Sequence, residues 1–160
     1  MFTKESLQSG DLLVWTSFDG KRKLSYSTLV QLATTSEVGH LSIVWRKPKE
    51  ILHVEARQPV IHCVPFENTS GLYVIPMGLH LSEKEMKRFF DDKIGLGYGY
   101  LDALRGYLGI VAKDDNKWQC AELVVAFYAA FGIHLDVKLT PTRVVHEIMT
   151  ISAKPLLKLQ

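Results

Sequence analysis

The chain has 160 residues, 47% of them apolar and 22% charged, with a net charge of +2 from 19 basic and 17 acidic side chains. That is about one domain's worth of chain, able to bury roughly two-thirds of its unfolded surface. The composition excludes a disordered chain, and the near-balanced charge lacks the basic footprint of a nucleic-acid binder. No run approaches the about 18–20 apolar residues of a membrane-spanning helix. The longest candidate, Ala121 to Phe131, is too short and contains Glu122.

No repeat, low-complexity tract or linker divides the sequence, so one domain over 1–160 is expected. Cys63 and Cys120 are too few for a disulfide framework. Met1 to Glu5 lacks the basic and apolar regions of a secretory signal. Synthesis in the cytoplasm with free thiols is the expectation; release by lysis or carriage in a virus particle would leave the same pattern.

Gly10-Asp11 signals a turn, and Leu12 to Trp15 reads as a buried strand. Residues 18–23, including Lys21-Arg22-Lys23, read as a solvated loop, and Leu24 to Thr34 as a short helix. His40 to Arg46, Ile51 to Ala56, Val60 to Phe66 and Leu72 to Ile75 read as strands separated by turn residues. The period then changes. Ser82-Glu83-Lys84-Glu85 is a capping box that opens an amphipathic helix to about Lys93, with Met86, Phe89 and Phe90 inward. A weaker helical segment follows at Leu101 to Val111, interrupted by Gly106 and Gly109. Gln119 to Phe131 is apolar nearly all round and stops at Gly132, as a buried central helix does. Thr140-Pro141 opens a last helix to about Thr150. Strands first and helices after predict an α+β domain with an antiparallel sheet packed against helices.

Cys120 lies in the first turn of the buried helix, where the positive end of the helix dipole lowers a thiol's pKa. The competing reading is a small core residue. A reactive thiol needs a base, and His40 is the most informative of six histidines because its strand partner is inferable. A turn centred between Lys47 and Pro48 sets His40 directly opposite Glu55; a centre one residue later sets Glu55 on the diagonal. Both registers keep the two side chains on one face, with opposed Cβ atoms about 4.5–5.5 Å apart. A carboxylate there fixes the imidazole tautomer and leaves the other ring nitrogen to take a proton from a thiol. Without the cysteine, the pair reads as a surface ion pair.

Two other clusters carry less. His53, Glu55, His62 and Cys63 are close in sequence but lack an established zinc spacing, and His62 and Cys63 point to opposite faces of a strand. Gly95-Leu96-Gly97-Tyr98-Gly99 has the glycines of a phosphate loop without the following Lys-Ser/Thr or a preceding strand. Neither a metal nor any other cofactor is expected.

Several segments together resemble the circularly permuted NlpC-type papain-like cysteine hydrolases of the YiiX/YebB-like group. They are Gly10-Asp11-Leu12-Leu13, Val38 to Val44 around His40, Val54-Glu55-Ala56, Gly95 to Tyr100, Trp118 to Val124 around Cys120, and Thr140-Pro141. The His strand precedes the Cys helix, as in the permuted group. Ala121, Gly97 and Gly99 replace the usual Ser, Pro and Asp. The resemblance implies a permuted papain-like fold with Cys120 as nucleophile, His40 as base and Glu55 orienting His40. It implies that Tyr98 lines the pocket or helps hold the reacting carbonyl, a core aromatic being the alternative. Glu122 is expected to be a structural partner, Asp11 to tie down a loop, and Ser42 to neighbour His40.

The implied activity is amide hydrolysis through an acyl-enzyme, with bacterial cell-wall (peptidoglycan) peptide as first candidate. A lipid-directed acyltransferase or thioesterase, and a non-catalytic peptide- or partner-binding module, are the alternatives. The expected partners are a peptide or acyl substrate, with no nucleic acid and no integral membrane segment; the oligomeric state is left open.

Overall fold

The structure is a computed structural model that describes residues 2–16, 38–69, 71–98, 118–136 and 140–160. The loop expected at 18–23 and the helical segments expected at 24–34 and 101–111 lie outside these residues, as do Gly99 and Tyr100.

Six strands form one antiparallel sheet: β1 (Leu12–Thr16), β2 (Val38–Arg46), β3 (Ile51–Arg57), β4 (Val60–Pro65), β5 (Leu72–Ile75) and β6 (Leu157–Lys158). Their order is β4-β3-β2-β1-β5-β6, so β2 lies inside, between β3 and β1. Among the described residues, three helices pack with the sheet: α1 (Glu83–Phe90), α2 (Cys120–Ala130) and α3 (Pro141–Ser152). No helix among the described residues is long and apolar enough to cross a membrane.

Alternation along the strands sorts residues onto two faces. One face carries Leu12 and Val14 of β1, Leu41, Ile43 and Trp45 of β2, and Leu52, Val54 and Ala56 of β3, packed with Met86, Phe90, Leu123, Phe127 and Ile148 of the helices. The other face carries Leu13, Trp15, Val44, Leu72 and Val74, closed by Leu7, Phe66 and Leu159.

The β2–β3 ladder pairs Ile43 with Val54 and Arg46 with Ile51. This is the later of the two expected registers, with the turn closed by Lys47 N–H donating to Glu50 O at 2.9 Å. The β3–β4 turn is the two-residue Gln58-Pro59, with a cis bond. Gly10, at φ +95, permits a backbone no side chain adopts readily, and an added Cβ would meet Leu79 at 3.2–3.3 Å. Its carbonyl accepts from the buried Tyr128 hydroxyl at 2.9 Å, tying the start of β1 to α2. Asp11 ties the same loop: its two oxygens accept from the Gln8 and Met77 N–H groups, each at 2.9 Å.

Helix starts follow their caps. Ser82 and Glu85 form the expected capping box on α1, and Thr140 Oγ1 accepts from Arg143 N–H ahead of Pro141 on α3. One expectation is corrected. Helix α1 ends at Phe90 rather than near Lys93, because residues 91–95 turn back onto it: the Lys93 and Ile94 N–H groups both donate to Phe90 O, and Gly95 adopts φ +93. Met86, Phe89 and Phe90 face inward as expected, Met86 and Phe90 fully buried and Phe89 half-buried against the same core. The 3-10 turn Lys4–Ser6 and strand β6 were not foreseen; β6 is two residues long, too short for a period.

Candidate active site

Strands β2 and β3 bring His40 and Glu55 together. In the observed register Glu55 is diagonal to His40, and the carboxylate reaches across: Glu55 Oε2 accepts from His40 Nε2–H at 2.5 Å. Glu55 is almost wholly buried; the His40 side chain keeps 18% exposure. The second carboxylate oxygen, Oε1, faces the exposed Arg57 guanidinium at 3.9 Å.

The third expected residue reaches the same ring. Cys120 is the first residue of α2, 7% exposed, and packs in the helix-side core. It is a hydrogen-bonding and electrostatic partner of the His40 imidazole. Glu55 holds Nε2, which leaves Nδ1 as the nitrogen that can exchange a proton with the thiol. A register break explains how a residue of the polar face meets one of the helical face. Trp15 pairs with His40 but Thr16 pairs with Val38, so Gly39 is an extra residue in β2. Such a bulge bends the strand and re-aims its side chains. Val38 beyond it packs in the helix-side core, and His40 stands where the two faces cross.

The electrostatics follow from these contacts. Burial alone would pull the His40 pKa down, but hydrogen bonds and charge from Cys120 and Glu55 outweigh it and raise the ring from 6.5 to about 9. Burial would raise the Glu55 carboxyl; the His40 hydrogen bond and charge, with His53 and Arg57, hold it down at about 2. Cys63, by contrast, sits on β4 with its thiol pushed up by burial.

The start of α2 is held from both sides. Glu122 accepts from Gln119 N–H at 2.8 Å, the structural role expected of it. Tyr98 bridges to Trp118, two residues before Cys120, and its N–H donates to Pro59 O at 2.9 Å. The segment carrying Tyr98 is thereby fixed between the β3–β4 turn and the approach to α2. Its side chain packs against the helix-side core.

His62 lies directly opposite Glu55 in the β3–β4 ladder, while Cys63 faces the helices. Sequence reasoning missed the neighbours behind His40. Trp15, its cross-strand partner in β1, has its ring centroid 5.6 Å from that of His40 and 5.6 Å from that of His53. His53 Nδ1 and Ser42 Oγ share a hydrogen bond at 3.0 Å. The signal for Trp15 was the β1–β2 register, which no turn length supplied.

No protein-family profile matches the chain, and neither does any curated protein. Among solved structures, the crystal structure of metalloprotein yiiX from Escherichia coli O157:H7 superposes with a TM-score of 0.57 at 18% identity, covering 94% of this chain and 87% of that one. The chain thus has a YiiX-like α+β fold, a six-stranded antiparallel sheet packed with helices and a buried cysteine at a helix start.

Proposed function

We propose that the chain is a cysteine hydrolase on a permuted papain-like scaffold, cleaving an amide bond through an acyl-enzyme on Cys120. His40 moves the proton and Glu55 orients His40. The observation that carries this reading is one imidazole with two partners, a buried carboxylate on Nε2 and Cys120 at the start of α2.

With its pKa raised to about 9, the His40 ring rests charged at neutral pH. The Cys120 sulfur attacks the carbonyl carbon, and the proton on Nδ1 passes to the leaving amine as the C–N bond breaks. Water then attacks the thioester; Nδ1 takes its proton, the C–S bond breaks and the acid leaves. Glu55 stays ionised throughout and stabilises the imidazolium. The N–H groups of Cys120 and Ala121, in the first turn of α2, have no acceptor within the helix and suit the developing oxyanion. That of Gln119 is taken by Glu122. Tyr98, fixed beside the approach to α2, lines the pocket. Cell-wall peptide is the first substrate to test.

The E. coli protein of this fold is described as a metalloprotein. Among the described residues of this chain, no group of three His, Cys, Asp or Glu side chains is arranged to hold an ion. The 2.5 Å bond between His40 and Glu55 is also shorter than the separation of roughly 3 Å that two ligands of one zinc ion keep.

The test is the pH dependence of thiol alkylation, read by mass spectrometry at each cysteine. Cys120 is expected to react at least tenfold faster than Cys63 at pH 7, and His40→Ala to remove the difference. Cell-wall peptides and acyl lipids then separate an amidase from an acyl transferase. Equal rates at the two cysteines would overturn the hydrolase reading and favour a peptide- or partner-binding module.

A further inference from the structure

We infer that Trp15 is a positioning residue for His40, its indole packing beside the imidazole and holding it in register between Glu55 and Cys120. Three observations converge on this ring. Trp15 is paired with His40 across β1–β2, in the last pair before the extra residue Gly39. The two ring centroids are 5.6 Å apart with planes tilted by 46°. The indole N–H donates to Thr69 Oγ1 at 3.0 Å, which fixes the rotation of a ring that is itself only 7% exposed.

A cation within about 6 Å of an indole centroid is drawn to the ring's negative face, and more so where water is excluded. Two imidazoles lie at this distance from the indole. Burial lowers the pKa of His53, whose ring lies 5.6 Å from the same indole, and Ser42 Oγ shares a hydrogen bond with its Nδ1. His40 carries the charge. The groups that face it are Cys120 from α2, Glu55 with Arg57 and His53 from β3, and Trp15 from β1. Cys120 and Glu55 act on His40 through their own charge and protons. Trp15 exchanges no proton with the ring; its attraction is for the charged form and so favours the imidazolium. A ring that turned away from Glu55 during proton transfer would lose both partners at once; the indole, pinned by Thr69, opposes that turn.

The inference rests on His40 as the proton-transferring group, and the readouts separate the two. The His40 ring is titrated directly by NMR of 15N-labelled histidine, and Cys120 alkylation is followed against pH, in wild type, Trp15→Leu, Trp15→Phe and Thr69→Val. Leucine keeps the site dry but has no ring face. It is expected to lower the His40 midpoint by about half a unit and move the alkaline limb of the alkylation profile with it. Phenylalanine is expected to restore most of the shift. Thr69 is exposed, so Thr69→Val keeps the fold; it should shift the midpoint in the same direction by a smaller amount. A folded Trp15→Leu protein that titrates as wild type would overturn the inference. If that variant fails to fold, an unchanged midpoint in Thr69→Val would overturn it instead. If wild-type Cys120 shows no enhanced reactivity, the hydrolase reading falls, while the ring titration still decides whether Trp15 supports the charged imidazole.

Discussion

The two faces of the sheet are built to different ends. The helix-covered face is apolar and continuous: Phe89 and Phe90 of α1 pack on Phe127 of α2 at ring distances of 5.2 and 5.4 Å, and Trp45 stacks on Phe90. The opposite face buries Ser42, His53 and Glu55 among Trp15, Val44 and Phe66. A buried polar group costs free energy unless it is hydrogen-bonded, and these three are: Ser42 to His53, Glu55 to His40. The first face supplies stability through area. The second spends part of its area on a network whose order matters more than its size. Cys120 belongs to the first face by packing and to the second by chemistry, and the bulge at Gly39 is where they meet.

The largest effect expected is on activity, from the polar face. Glu55→Gln keeps the shape of the side chain but removes its charge. It should lower turnover of an amide substrate by a factor of about 10³–10⁴, by analogy with loss of the orienting carboxylate in a serine triad. Circular dichroism should show the fold intact. The matching change on the apolar face is Phe127→Ala, expected to cost about 3–5 kcal/mol in urea unfolding while leaving Cys120 reactivity per folded molecule within a few-fold of wild type. If Phe127→Ala abolished reactivity at full stability, or Glu55→Gln unfolded the chain, the division between the faces would not stand.

The smallest effect is the pH dependence of stability, and its sign follows from the two shifts. His40 is raised from 6.5 to about 9, so its stabilisation is complete below pH 6.5 and is lost as pH climbs through about 9. Glu55 is lowered from 4.5 to about 2, so its share is present above pH 4.5 and is lost as pH falls through about 2. Thermal unfolding midpoints should therefore decline on both limbs, and Glu55→Gln should flatten both. Unaltered limbs in that variant would place the titrating groups elsewhere in the molecule.

Much of this arrangement was legible in the sequence, for identifiable reasons. Strands β1 to β5 are bounded by Gly, Pro and Asn turns, and their observed ends fall within two residues of expectation. For a turn after Arg46 centred between two residues, either register puts His40 and Glu55 on one face; a turn centred on a residue would have parted them. The Ser82 box and Thr140-Pro141 marked helix starts because caps are local chemistry. What was not legible is set by distant pairing. Trp15 read as one more apolar residue of a buried strand, because nothing near it in sequence records that β2 lies alongside. Gly39 gave no sign of being an extra residue, since a bulge is defined by its partner strand. Strand β6 forms only because β5 offers an open edge to Leu157 and Lys158.

The inside position of β2 has a consequence for how the molecule breathes. β6 hangs on the sheet by two residue pairs, Tyr73 with Lys158 and Val74 with Leu157, at the far edge from β4. Partial openings begin at such margins, and amide hydrogens there exchange with solvent first. β2 is held by β1 from Val38 to Ile43 and by β3 from Ile43 to Arg46, so its amides are expected to exchange later than those of β6. The His40–Glu55 contact lies away from that margin, so fraying of the C-terminal end leaves it in place.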